Sequence, residues 1–116
     1  MPTRYLTQTL SSSGLDSDIQ VGVINLVIRT VIMERGLVVD LSTATIKQLV
    51  LKSPKGIIQI KAAIFTTDGR DGMIQYTTTS INDLNESGTW QVQAYLEMPD
   101  FVGYSTISSF LVNANL

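Results

Sequence analysis

The stretch from Val39 to Tyr76, VDLSTATIKQLVLKSPKGIIQIKAAIFTTDGRDGMIQY, constrains this chain more than any other. It reads as three strands joined by two tight turns. Asp40-Leu41-Ser42 leads into a first strand over Ala44 to Leu51. Ser53-Pro54-Lys55-Gly56 is a turn, because proline presets φ at the second turn position and glycine accepts a positive φ. Ile57 to Phe65 is the second strand. Its residues Ile58, Ile60, Ala62 and Ile64 fall on one face, with Gln59 and Lys61 on the other, the period of two of a half-buried strand. Asp68-Gly69-Arg70-Asp71-Gly72 turns the chain again, and Met73 to Tyr76 begins the third strand. Three consecutive strands joined by tight turns read as a β architecture.

The flanking segments agree. Ile19 to Ile32 is dense in Val and Ile, which favour strands. Its alternation changes phase, with Ile19, Val21 and Val23 on one face and Ile24, Leu26 and Ile28 on another. This slip indicates a bulge, or two strands meeting near Gly22. Glu34-Arg35-Gly36 turns. Thr77 to Gly88 is polar and reads as a crossing between sheets, anchored inward by Ile81 and Leu84, with Ser80 capping a short turn and Asp83 inside it. Thr89 to Glu97 is the clearest strand: Trp90, Val92, Ala94 and Leu96 face the core, and Gln91, Gln93, Tyr95 and Glu97 face away. Pro99-Asp100 and Gly103 mark the next turn. Tyr104 to Val112 is the last strand, with Phe110 and Val112 inward. About seven short strands, turn signals every 8–12 residues and no amphipathic helix predict an all-β fold, an immunoglobulin-like antiparallel β-sandwich. With 116 residues this is one domain, read as residues 14–116.

Residues 1–13 are polar and Ser/Thr-rich, and Ser11-Ser12-Ser13-Gly14 is a flexible break. This N-terminal arm reads either as a frayed terminus or as a segment that adds to a neighbouring subunit as an edge strand. Arg4, Tyr5, Leu6 and Leu10 are its candidate interface residues.

Composition excludes several kinds of chemistry. The chain has no His and no Cys. Ser-His-Asp and Cys-His mechanisms, disulfides and thiolate metal sites are therefore impossible within it. Its net charge is −2 and its eight Lys and Arg are scattered, so neither nucleic acid nor an anionic membrane is an expected partner. Residues 1–10 lack the pattern of a secretory signal, and the apolar run Ile24 to Met33 is too short to span a bilayer. A soluble chain made in the cytoplasm is expected.

The remaining motifs read as structure. Asp68 and Asp71 with the carbonyls near Gly69 and Gly72 offer oxygens to calcium, but their spacing is that of a hairpin turn and not of an EF-hand. Gly69 and Gly72 do not form a phosphate loop, since no Lys or helix follows. Asp83 and Glu86 match paired acid-base carboxylates only in residue type; they sit in a loop without partner groups. Asn85-Glu86-Ser87 matches a glycosylation pattern without a secretory signal. Trp90 and Tyr95 would suit a carbohydrate platform, but Trp90 is expected in the core. Tyr95, facing outward beside Gln91 and Gln93, and Tyr104 are candidate contact residues, since aromatics are enriched at interfaces. No catalytic residue, cofactor or metal ligand is expected.

Several motifs occur in a suggestive order: Asp18-Ile19-Gln20-Val21-Gly22, Val39-Asp40-Leu41-Ser42-Thr43-Ala44-Thr45 and Lys52-Ser53-Pro54-Lys55-Gly56. Thr66-Thr67-Asp68-Gly69-Arg70-Asp71-Gly72-Met73-Ile74-Gln75-Tyr76-Thr77, then Asp83-Leu84 and Gly88-Thr89-Trp90-Gln91-Val92-Gln93-Ala94-Tyr95, complete the set. The series resembles small bacteriophage structural proteins, nearest to the immunoglobulin-like domain at the N-terminus of phage baseplate upper proteins. It covers Asp18 to Val112, and Lys55 stands where that family usually has Asp. The resemblance implies a non-enzymatic virion protein of the tail or baseplate, made in the host cytoplasm, that assembles through its N-terminal arm and sheet surface with other virion proteins as partners, as a homo-oligomer or in a symmetric assembly. Capsid decoration is the alternative placement, and a receptor- or glycan-binding module the alternative class.

Overall fold

The structure, a computed structural model, describes residues 19–116, together with the backbone of Thr7–Ser12. The described chain is all β. It runs through β1 (Thr7–Ser12), β2 (Ile19–Gln20), β3 (Val27–Glu34), β4 (Leu37–Val38), β5 (Ile46–Lys52) and β6 (Ile58–Ala62). It continues through β7 (Ile64–Phe65), β8 (Met73–Thr77), β9 (Gly88–Met98), β10 (Phe101–Tyr104) and β11 (Ser108–Asn113). These form two sheets packed as a sandwich. One has the order β1-β3-β8-β7, with β4 also paired to β3. The other has the order β2-β11-β9-β5-β6, with β10 also paired to β9. Pairing is antiparallel throughout except for β2 on β11, which is parallel.

The core lies between the inward faces. Ile28 and Ile32 of β3 and Ile74 of β8 meet Leu49 and Leu51 of β5 and Trp90, Val92, Ala94 and Leu96 of β9. The period-two pattern of β9 is obeyed along its whole length. Trp90 is fully buried, stacks 6.4 Å from Phe110 and donates its indole N–H to the Glu86 carbonyl at 2.9 Å. Burying so large a ring requires that donor to find an acceptor.

The turns form where the sequence places them. The Gly56 amide donates to the Ser53 carbonyl at 2.9 Å. In the next turn, Asp68 and Asp71 side chains accept from the Arg70 and Met73 amides at 3.0 and 3.1 Å. Both aspartates thus serve the hairpin, and among the described residues no cluster of three metal-ligating side chains occurs.

Five expectations need correction. Among the described residues there are eleven strands, not about seven, because two long expected strands are broken and two-residue pairings occur. The break in Ile57 to Phe65 falls at Ala63. This small residue is buried, its amide donates to the Lys47 carbonyl at 3.0 Å, and the chain passes there from one sheet to the other. Tyr104 to Val112 breaks at Ser105, whose amide donates to the Ala94 carbonyl while its Oγ accepts from the Ala94 amide. The side chain occupies a ladder position and ends β10. Ile81 is 66% exposed, because Asp83 and Leu84 are the residues of that turn that point inward. Finally, the face carrying Ile58 and Ile60 is the outer one: these residues are 59% and 62% exposed, while Gln59 and Lys61 are half-buried.

Candidate functional site

The polar crossing over Thr78 to Gly88 is held by one carboxylate. Asp83 is buried, and its Oδ2 accepts from the Thr79 amide and the Tyr76 hydroxyl, each at 2.8 Å, and from the Ser80 amide at 3.3 Å. Its Oδ1 accepts from Lys61 Nζ at 2.8 Å. Burial raises the Asp83 pKa, but Lys61, the two amides and Tyr76 outweigh it and bring it down to about 2. Glu86 does not share this cluster, since its Oε1 accepts from the Lys55 amide at 3.2 Å. The two carboxylates therefore tie loops together and do not face a common space. A carboxylate so fully engaged with fixed donors is a structural post, not a proton-transfer group.

That post orients β6. The Gln59 side-chain amide donates to the Asp83 carbonyl at 3.0 Å, alongside the Lys61–Asp83 pair. With Gln59 and Lys61 drawn to the loop side, Ile58, Ile60 and Ala62 take the opposite face, because side chains alternate strictly along a strand.

The outer face of the larger sheet can be read in rows from the strand register. Ile58, Lys52 and Gln91 form one row, and Ile60, Val50 and Gln93 the next. Ala62, Gln48, Tyr95 and Tyr104 follow, then Ile46, Glu97 and Val102. Ile58, Ile60, Val102 and Tyr104 are each more than half exposed, as is Ile107 just before β11. A cleft of about 220 Å³ opens among Val50, Ile58, Ile107 and the two glutamines Gln91 and Gln93. Lys52 and Glu97, in the first and last rows, are the only charged side chains in these rows. The face is thus an apolar surface with glutamine amides and tyrosines set into it.

Tyr95 and Tyr104, both candidates from the sequence, are brought together here. They are register partners across β9 and β10, with ring centroids 4.9 Å apart and planes tilted by 50°. The Tyr95 hydroxyl donates to Glu97 at 2.6 Å. This hydrogen bond, then burial and the charge of that carboxylate, holds the Tyr95 phenol above its ordinary pKa. Leu10 lies on β1, opposite Thr30 of β3, so this part of the expected arm pairs with the chain's own sheet. Arg4, Tyr5 and Leu6 lie outside the described residues. The sequence reading missed Ile58, Ile60, Val50 and Ile107 as surface groups. The alternation of β6 was visible, but nothing local to it says which face is out.

No helix among the described residues is long and apolar enough to cross a membrane. Comparison of the chain with protein-family models, with curated proteins and with solved structures finds no match.

Proposed function

We propose that this chain is a non-enzymatic structural protein of a bacteriophage virion, part of the tail or baseplate, held by contacts between its outer sheet face and other virion proteins. The observation that carries this reading is the face itself. Isoleucines stand exposed on it in adjoining rows, with Gln48, Gln91, Gln93, Tyr95 and Tyr104 among them. Contiguous exposed apolar surface marks an interaction site, and interleaved amides and aromatics give such a site direction. The ordered motifs from Asp18 to Val112, which resemble the immunoglobulin-like domain of phage baseplate upper proteins, support the placement, and a two-sheet sandwich is compatible with that domain. The mechanism is geometric. A sandwich without disulfides presents this surface, and symmetry multiplies contacts that are weak one by one.

The test is the copy number of this chain in purified particles of its phage, measured by quantitative mass spectrometry against the major capsid protein. Roughly six to a few dozen copies fit the cyclic symmetry of a tail or baseplate. A ratio near one per few capsid subunits moves the protein to the head as a decoration protein. Absence from particles overturns the reading.

A further inference from the structure

Among the described residues β6 ends its sheet, with β5 on one side and no strand on the other. Its hydrogen-bonding direction follows from the bonds at its two ends. The Ile57 carbonyl accepts from the Ser53 amide, and the Ala63 amide donates to the Lys47 carbonyl, so both residues face β5. Backbone groups alternate sides along a strand, so Gln59 and Lys61 also face β5, while Ile58, Ile60 and Ala62 point their N–H and C=O groups to the open edge. Among the described residues nothing pairs with these three amides and three carbonyls. The same three residues carry the exposed apolar side chains of the strand.

Edges of this kind are normally blunted by proline, a bulge, or a charge set on the edge or pointing inward. The strand β6 has no proline, no bulge and no charge on its outer face. Its one charged residue, Lys61, points to the loop side and is neutralised by Asp83.

We infer that β6 is a homodimerisation edge: two copies of this chain pair antiparallel about a two-fold axis through Ile60, joining their larger sheets into one. The occupant follows from self-complementarity, which an isologous interface requires. This register sets Ile60 against its own copy and Ile58 against Ala62 in hydrogen-bonding pairs. Each of the three pairs forms two bonds, six in all, and every orphan group on both edges is used. On the outer face only apolar side chains meet at the seam. On the other face Gln59 lies opposite Lys61 of the second copy, so amide meets ammonium and the two lysines are not opposed. Shifting the axis by one residue to Gln59 or Lys61 leaves groups at one end of each edge unpaired. The inference concerns how copies of this chain associate, and it holds whether or not the protein belongs to a virion.

The test combines sedimentation velocity with amide hydrogen exchange on the full chain. The expected result is a dimer in which the Ile58, Ile60 and Ala62 amides are protected and lose that protection on dilution. The Gln59 and Lys61 amides, bonded within the subunit, stay protected at all concentrations. Ile60→Lys, which places two ammonium groups at the axis on an already exposed position, raises the dimer dissociation constant at least ~100-fold and leaves the melting temperature of the dilute, monomeric chain unchanged. A monomer whose three amides exchange freely at every concentration overturns the inference and leaves the edge to a strand of another chain. A dimer that survives Ile60→Lys, or in which these amides stay unprotected, overturns it as well.

Discussion

Lys61 Nζ lies 2.8 Å from Asp83 Oδ1, and this ion pair decides which way β6 faces. The Lys61 side chain is 19% exposed and that of Asp83 6%, so both charges are largely out of water. Breaking such a buried pair costs about 3–5 kcal/mol and orphaning the Asp83 carbonyl that accepts from Gln59 about 1–3 more, whereas two isoleucines, each still partly covered, forgo only part of about 3–6 kcal/mol. With Asp83 fixed under the crossing by Thr79, Ser80 and Tyr76, the requirement for Lys61 outweighs the pull of Ile58 and Ile60 toward the core. The apolar outer face is the consequence.

The first prediction concerns acid. Asp83 titrates near 2 in the folded chain, against an ordinary 3.8. As pH falls, the unfolded chain takes up the proton first, so this contribution to stability is present above about pH 4 and is lost as the pH falls through about 2. The shift corresponds to about 2 kcal/mol. Urea unfolding as a function of pH checks it: the stability gap between the wild type and Asp83→Asn should narrow by that amount between about pH 5 and pH 2. A constant gap would contradict it.

The second concerns two glycines with similar backbones and different surroundings. Gly72 and Gly36 have φ of 73° and 82°. A Cβ on Gly72 would lie 2.8 Å from the Ile32 carbonyl oxygen and 3.1 Å from that of Val39, whereas one on Gly36 meets nothing within 4 Å. Gly36→Ala should therefore cost about 1 kcal/mol, from backbone conformation alone, and Gly72→Ala at least about 2 kcal/mol more. Denaturation midpoints of the two variants give the comparison, and equal losses would sink it.

The third concerns Thr30, fully buried on β3 with a hydroxyl that has no hydrogen-bond partner among the described residues. Removing an unsatisfied buried hydroxyl in favour of a methyl of similar shape recovers its desolvation cost. Thr30→Val should stabilise the chain by about 1 kcal/mol, read as a rise in melting temperature. A lower melting temperature would show that the hydroxyl has a partner.

The legible part of this protein was local. Thr89 to Glu97 alternates without error, and its period alone placed Trp90, Val92, Ala94 and Leu96 in the core. Gly56, Gly69 and Gly72 marked turns because each needs a positive φ, which is a property of one residue. Of the candidate contact residues, Tyr95 and Tyr104 share the outer face, but their direct contact depends on the pairing of β9 with β10, which no local pattern encodes.

What the amino-acid sequence determined by itself is the β architecture, the turns and the inward face of the strands whose two faces differ sharply. What only the tertiary structure decided is the sense of β6, the breaks at Ala63 and Ser105, and hence the apolar surface and the open edge. The physical reason is that alternation fixes which residues share a face, while the face that is buried depends on what lies across from it. For β6 that is a carboxylate 22 residues further along the chain, and it claims the lysine.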